Sequence, residues 1–408
     1  MEKVILRSDP ESDMVMEFIY GHRKFLVLSA AVRLGIFDEI DSLGQGNWIS
    51  LMSLVEKCGY DQGVAERFLN VLAGITLLER KKDEDEKKDA AYLYRNAPYV
   101  SRYLLRTKPA SLIPVVFFSE MTPALFFNFP NVLMNGPTDK LSMMMGGRAE
   151  NGGHDVSPKD VFTMIHRGHN SSDLMKKPIA GTDTGKTKPA VTSLARGGVT
   201  GPLPEMTTPG PATFMKLMDC TVDRCIPALV TAFDLSTHRK AVDIGGGSGC
   251  LAHHLATVYP DVHVTVFDLP QVVEVSLQQQ PEEMKSRVSF IGGNFFKDDY
   301  PMADLFIMAR VLHDWDEERD DVLLTKVFNS LTPGGALLVL EKTLHDDKGG
   351  PLPALLEDIG MATLSIGHER SGKEYRKLLA KHGFDQIEIK EIQGSNHFDA
   401  IYAIKTEQ

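Results

Sequence analysis

Cysteine is scarce, with four in 408 residues, at Cys58, Cys220, Cys225 and Cys250. No two of them form a C-x-x-C pair, which argues against a zinc ribbon or a dithiol redox centre and predicts free thiols. Excess positive charge is missing too. Against 55 Asp and Glu stand 44 Lys and Arg, a formal charge of −11, so a nucleic-acid reader or an anchor on an anionic membrane is disfavoured. No apolar run approaches the roughly twenty residues that span a bilayer. The opening MEKVILRSDPESD has no apolar core of a signal peptide, and a cytoplasmic protein is expected. What is present is ordinary globular composition, 43% hydrophobic and 24% charged, in a chain long enough for two or three domains.

From Glu11 to Ile40 apolar residues crowd a helical pattern on much of its circumference, which predicts a buried helix. Helices over Ile49–Lys57, ending at Cys58-Gly59, and over Asp61–Leu78, with Asp61 as cap, follow. Strands at Ile75–Arg80 and Ala91–Asn96 flank the charged run Glu79–Asp89, giving a hairpin with a solvated tip. Helix-turn-helix plus hairpin reads as a winged helix. Gly146–Thr213 holds 11 Gly and 7 Pro, a density that predicts a mobile insertion or lid with a short helix at Val161–His166.

From Lys240 the pattern alternates. Strands are expected at Ala241–Ile244, Val262–Phe267, Val288–Ile291, Asp304–Ala309 and Ala336–Leu340, with helices at Leu251–Val258, Gln271–Gln279 and Arg319–Leu331. Short β-branched runs joined by helical crossovers make a doubly wound, mainly parallel α/β sheet. Ile387–Ile392 and Ala400–Ile404 are too close for a crossover and form an antiparallel edge hairpin.

The sharpest local signal is VDIGGGSG, Val242–Gly249, a strand running into a glycine turn and then a helix. Glycines let backbone approach a ligand, and the helix start offers unpaired N–H groups. The spacing is G-x-G-x-G (Gly245, Gly247, Gly249) with Cys at 250, which weakens a dinucleotide reading. Asp268 ends the next strand, where its carboxylate can accept both hydroxyls of a ribose. A P-loop at Gly181–Thr187 is rejected, because its glycines are too close and no strand precedes it.

The segment ADLFIMARVLHDWD, Ala303–Asp316, is a buried strand ending in Arg310, His313, Asp314, Trp315 and Asp316. Strand C-termini face the ligand crevice of such sheets, so His313 is placed as a general base. Glu341, past the next strand, and Glu369 are available to orient it. The other histidines have no accompanying ligand set, and no metal is expected.

VDIGGGSG, VFDLPQVV, GGNFFKDDYP, ARVLHDW, LTPGGALLVLE and GHERSGKEY together resemble the class I S-adenosylmethionine-dependent methyltransferases. The similarity is to the small-molecule O-methyltransferases that include acetylserotonin and plant caffeic acid O-methyltransferases, and it extends from about Glu11 to Lys405. It implies a winged-helix dimerisation domain over 1–110, a helical cap over 111–235 with an insertion at about 169–213, and a methyltransferase domain with a Rossmann-like sheet over 236–408. By the same resemblance Gly245 and Gly247 line the methionine of the cofactor, Asp268 its ribose, Asn294 and Phe295 its adenine, and Arg310 also touches it. His313 is the base, flanked by Asp314, with Glu341 and Glu369 holding the imidazole. The implied reaction moves the methyl of S-adenosylmethionine to a hydroxyl of a small indolic or phenolic acceptor and leaves S-adenosylhomocysteine. The expected partners are that acceptor and a second copy of the chain, with neither nucleic acid nor membrane. Three departures from the family pattern stand out. Gly293-Asn294-Phe295 replaces Gly-Asp-hydrophobic, Gly360 and Leu364 replace an Asn and a Gln on a substrate-facing helix, and the insertion splits the helical cap. The first and third leave open a relative that binds the cofactor without turnover and acts by dimerising.

Overall fold

A computed structural model describes residues 10–83, 92–120, 129–137, 225–392 and 398–406, with Phe126, Met215, Met218, Asp219 and Val222 between them. The expected helix at Val161–His166, the loop at 181–187, the Gly/Pro-rich insertion and most of the hairpin tip lie outside these residues. The chain divides into two compact units, one on either side of Glu120 among the described residues.

The first unit opens with α1 (Pro10–Leu34), which Gly35, at φ 69°, turns into α2 (Ile36–Gly44). Strand β1 (Ile49–Ser50) leads into α3 (Leu51–Cys58), whose start is capped by the Ser50 hydroxyl accepting from the Ser53 N–H. Gly59, left-handed at φ 70°, ends it, as the sequence predicts. Asp61 caps α4 (Gln62–Gly74) by accepting from the Val64 N–H. Strands β2 (Leu78–Lys82) and β3 (Tyr92–Asn96) form the antiparallel pair, and β1 joins as a third strand in the order β1-β3-β2. The start of the charged run is therefore strand: Glu79–Lys82 pair with β3. Helices α5 (Pro98–Tyr103) and α6 (Ile113–Ser119) close the unit over a core that includes Phe37, Leu54, Leu69, Leu72 and Tyr94.

One expectation fails here. The apolar helix is not buried throughout: Ala31 and Val32 are core, but Met14, Val15 and Phe18 are 68, 60 and 83% exposed. Periodicity reports which side chains avoid water, not whether their cover comes from the same chain.

The second unit contains α7 (Phe129–Asn135) and α8 (Ile226–Val230) ahead of the sheet. Its elements then alternate as β4 (Lys240–Ile244), α9 (Cys250–Val258), β5 (His263–Asp268), α10 (Pro270–Gln279), β6 (Val288–Gly292), β7 (Ala303–Ala309), α11 (Glu317–Ser330) and β8 (Leu331–Glu341). Helices α12 (Leu352–Leu364) and α13 (Gly372–Lys381) precede β9 (Asp385–Ile392) and β10 (Phe398–Ile404). The seven strands lie in the order β6-β5-β4-β7-β8-β10-β9. The first five are parallel, and β10 is antiparallel to both β8 and β9. Leu305, Phe306, Ile307 and Met308 are wholly buried, because both faces of a parallel sheet are covered. Strand order reverses between β4 and β7, the position where crossovers leave to opposite faces and a crevice opens at the strand C-termini. Among the described residues, no helix is long and apolar enough to cross a membrane.

Candidate active site

On one side of that crevice the chain leaves β4 through Gly245, Gly247 and Gly249 at φ 69, 55 and 78°, a region that L side chains rarely adopt. A side chain at Gly247 would meet open space, whereas one at Gly245 would press on Val311 at 3.1 Å. The Gly247 N–H donates to Asp268 Oδ2 at 2.8 Å and the Leu269 N–H to Oδ1 at 2.7 Å. Burial raises the Asp268 carboxyl, and these two donors pull it part of the way back. The structure thus joins Gly245, Gly247 and Asp268 at adjacent strand ends. Phe295 packs beside them, its ring 4.0 Å from where a Gly245 Cβ would lie. The Asn294 side-chain oxygen accepts from the Phe296 N–H at 2.9 Å, which leaves its second lone pair and its NH2 for a contact to a base.

On the other side β7 runs into Arg310, which is left-handed at φ 55°. Its guanidinium donates to Glu357 on α12 at 2.7 Å, a partner the sequence does not reveal. Burial pushes the Glu357 carboxyl up, but Arg310 and Lys342 outweigh it and hold it at about 2. The N–H groups of Val311 and Leu312 both donate to Glu341 Oε1 at 3.0 Å, which pins a short 3-10 turn over Leu312–Asp314. His313 sits in that turn, buried, with Nδ1 2.7 Å from Glu369 Oε1 and 3.8 Å from Glu341 Oε2. Its Nε2 lies 3.4 Å from Asp314 Oδ1, on a carboxylate that is 26% exposed. The three residues expected around the base, Asp314, Glu341 and Glu369, are therefore together with it.

Burial disfavours the imidazolium, yet the carboxylates of Glu341, Asp314 and Glu369 outweigh it and raise His313 to about 10. Burial lifts Glu341 to about 7. These groups titrate as a set rather than singly. Ligand atoms of His313, Glu341 and Glu369 lie within 4.8 Å of one another, a spacing that a metal ion could also use.

Comparison with known proteins places this geometry. The O-methyltransferase domain family matches residues 206–385, and the O-methyltransferase dimerisation domain family matches residues 16–107. The chain is 28% identical over 377 residues to acetylserotonin O-methyltransferase of Gallus gallus, covering 92% of this chain and 93% of that protein. It is 29% identical over 396 residues to the Mus musculus protein of the same name, covering 96 and 88%. The crystal structure of human N-acetylserotonin methyltransferase in complex with SAM superposes with a TM-score of 0.75 at 25% identity, covering 99% of this chain and 100% of that one.

The chain belongs to the S-adenosylmethionine-dependent O-methyltransferases.

An O-methyltransferase needs a pocket for a cationic nucleoside, and the residues here fit one. Each Asp268 oxygen has accepted one N–H and keeps a lone pair for a ribose hydroxyl. Beneath the loop Asp243 is 1% exposed with neither oxygen partnered. Burial, with Asp268 close by, pushes its carboxyl up to about 8, and a positive ligand nearby would favour its ionisation. Sequence reasoning passed over Asp243 as an ordinary strand residue. It also passed over Gly367, where a Cβ would overlap the His313 carbonyl and the backbone of Asp314 and Trp315. Gly367 opens the motif GHERSGKEY, but nothing in that motif signals the contact, which joins segments more than fifty residues apart in the chain.

Proposed function

We propose that this O-methyltransferase methylates a hydroxyl of a small aromatic acceptor, indolic or phenolic, with His313 as the general base. The supporting observation is the buried His313–Glu369 hydrogen bond at 2.7 Å, at the end of the strand next to the glycine loop. Glu369 fixes the proton on Nδ1, which leaves Nε2 as the nitrogen that can take one from an acceptor. Glu341 carries no proton to the substrate. It holds the turn through two backbone N–H groups and supplies a second carboxylate near the ring. Gly245, Gly247 and Asp268 would hold the methionine and ribose parts of the cofactor, and Phe295 with the Asn294 side-chain amide its adenine. When bound, S-adenosylmethionine supplies an electrophilic sulfonium methyl. The imidazole starts with a raised affinity for protons, so it must be neutral before it can act. Its protein groups then orient and deprotonate, and positioning accounts for much of the rate.

The relatives named for acetylserotonin make N-acetylserotonin a first probe acceptor. Gly360 argues for a wider acceptor range, since a side chain added there would meet nothing within 4 Å. It lies on α12 one turn from Glu357, and Leu364 follows one turn later. The family's dimerisation domain and the exposed apolar side chains of α1 favour a homodimer. The experiment is a methyl-transfer screen over N-acetylserotonin, other hydroxyindoles and phenols, alongside calorimetric titration with S-adenosylmethionine. Turnover of a hydroxylated aromatic is expected. Cofactor binding with no product from any acceptor would instead support a relative that acts without turnover.

A further inference from the structure

A buried cation stands directly behind the proposed base. Arg370 is 3% exposed and follows Glu369 in the chain. Its Nη1 donates to the Leu312 carbonyl at 2.9 Å. Its Nη2 donates to the Trp315 carbonyl at 3.4 Å and to Asp320 Oδ2 at 2.6 Å. Asp320 is wholly buried in the first turns of α11. The two carbonyls bracket His313 and Asp314, so one planar guanidinium spans the turn that carries the base, a geometry a point-charge ammonium cannot reproduce. Opposite it, Glu341 takes the N–H groups of Val311 and Leu312, and Gly367 lets the 366–370 segment lie flush on residues 313–315.

Burying such a pair is costly, and apolar replacements of similar volume often serve stability as well or better. A stabilising role is therefore a weak reason for an Arg–Asp pair in this core. The direction of its hydrogen bonds supplies a stronger one. Consecutive residues grip the same turn, Glu369 by the imidazole and Arg370 by the backbone on both sides of it, so ring and main chain share one frame.

We propose that Arg370, anchored by Asp320, is a positioning residue for methyl transfer: it holds the Leu312 and Trp315 carbonyls so that His313 presents Nε2 to the acceptor while Nδ1 stays on Glu369. This rests on His313 being the base. It adds that the base's direction is set by a residue that touches neither substrate nor cofactor.

The test is a double-mutant cycle in the full-length chain with His313→Ala, Arg370→Met and the double variant. Methyl transfer to N-acetylserotonin, or to the first acceptor that the screen identifies, is measured with the affinity for S-adenosylmethionine. Arg370→Met should lower kcat about tenfold to a hundredfold, the scale of a misplaced reacting group, with cofactor Kd within about twofold. On the His313→Ala background the same change should cost less than about twofold, because its effect runs through the imidazole. The nitrogen-15 spectrum of labelled histidine gives a readout that needs no acceptor. The His313 Nδ1–H signal, assigned by its loss in His313→Ala, should shift and exchange faster with water in Arg370→Met, and less so in Arg370→Lys.

An unmoved His313 signal overturns the proposal, as does an equal loss of kcat in both backgrounds. If His313→Ala turns over like the wild type, the base assignment fails, while the spectrum still decides whether Arg370 orients the ring. Should Arg370→Met not fold, Arg370→Lys and Asp320→Asn carry the same readouts and the same criteria.

Discussion

On the β4–β5 side of the crevice the proposed cofactor-binding groups are mostly backbone, glycines at positive φ and N–H groups that steady Asp268, with one buried carboxylate, Asp243, beneath the loop. On the β7–β8 side they are buried charges. His313, Asp320, Glu341, Glu369 and Arg370 are each between 0 and 3% exposed, and they come from four separate stretches of chain. A backbone site costs little to leave waiting for its ligand. A buried charge cluster persists only while its members satisfy one another, since an uncompensated charge in the interior is heavily penalised. The two sides should therefore respond differently to substitution, the first in cofactor affinity and the second in turnover.

The largest expected effect is at His313. Replacing it with Ala should lower kcat at least about a hundredfold, the usual scale for a lost general base, while cofactor Kd changes little. Steady-state kinetics and calorimetry on the same preparation decide this, and a loss confined to Kd would erase the contrast between the two sides. Asp268→Ala should show the reverse pattern. Its cofactor Kd should rise about tenfold to a hundredfold, the worth of hydrogen bonds to a charged group, with kcat at saturating cofactor much less affected.

These residues also show what a linear reading can reach. The glycine turn, Asp268 and the strand carrying His313 are legible because each is a contiguous pattern whose period or turn chemistry is local. Glu341 and Glu369 enter through strand-end position and resemblance to the family. Gly367 and Arg370 stand inside the motif GHERSGKEY and Arg310 follows a strand, but the contacts of all three are not legible, because they reach across 47 to 58 positions of chain. The mistaken burial of α1 has a different cause. An apolar stripe looks alike whether it faces a core or an interface, so Phe18 gave the same signal as Val32.

Gly367→Ala sharpens the comparison from the backbone side, because its Cβ would overlap the turn that holds the base. A loss of about 1–3 kcal/mol in urea unfolding is expected, the range for overpacking, together with reduced kcat. Unchanged values would mean that the turn yields freely and is not clamped. A further test is pH. With His313 raised to about 10 in the folded protein, against about 6.5 when unfolded, its contribution to stability is complete below about pH 6.5. That contribution fades as pH climbs toward 10. Turnover should move the opposite way, rising over this window as the imidazole becomes neutral, and the rise should flatten in His313→Ala. A wild-type profile that falls with pH would contradict the assignment.

The most direct measurement varies the acceptor rather than the enzyme alone. Methyl transfer by wild type and His313→Ala is compared across phenols of decreasing pKa, ending with one already ionised at the assay pH. A base is needed only where a proton must leave, so the deficit of His313→Ala should shrink along the series and nearly vanish for the ionised phenol. A deficit that stays the same across the whole series would show that residue 313 does not take the acceptor's proton.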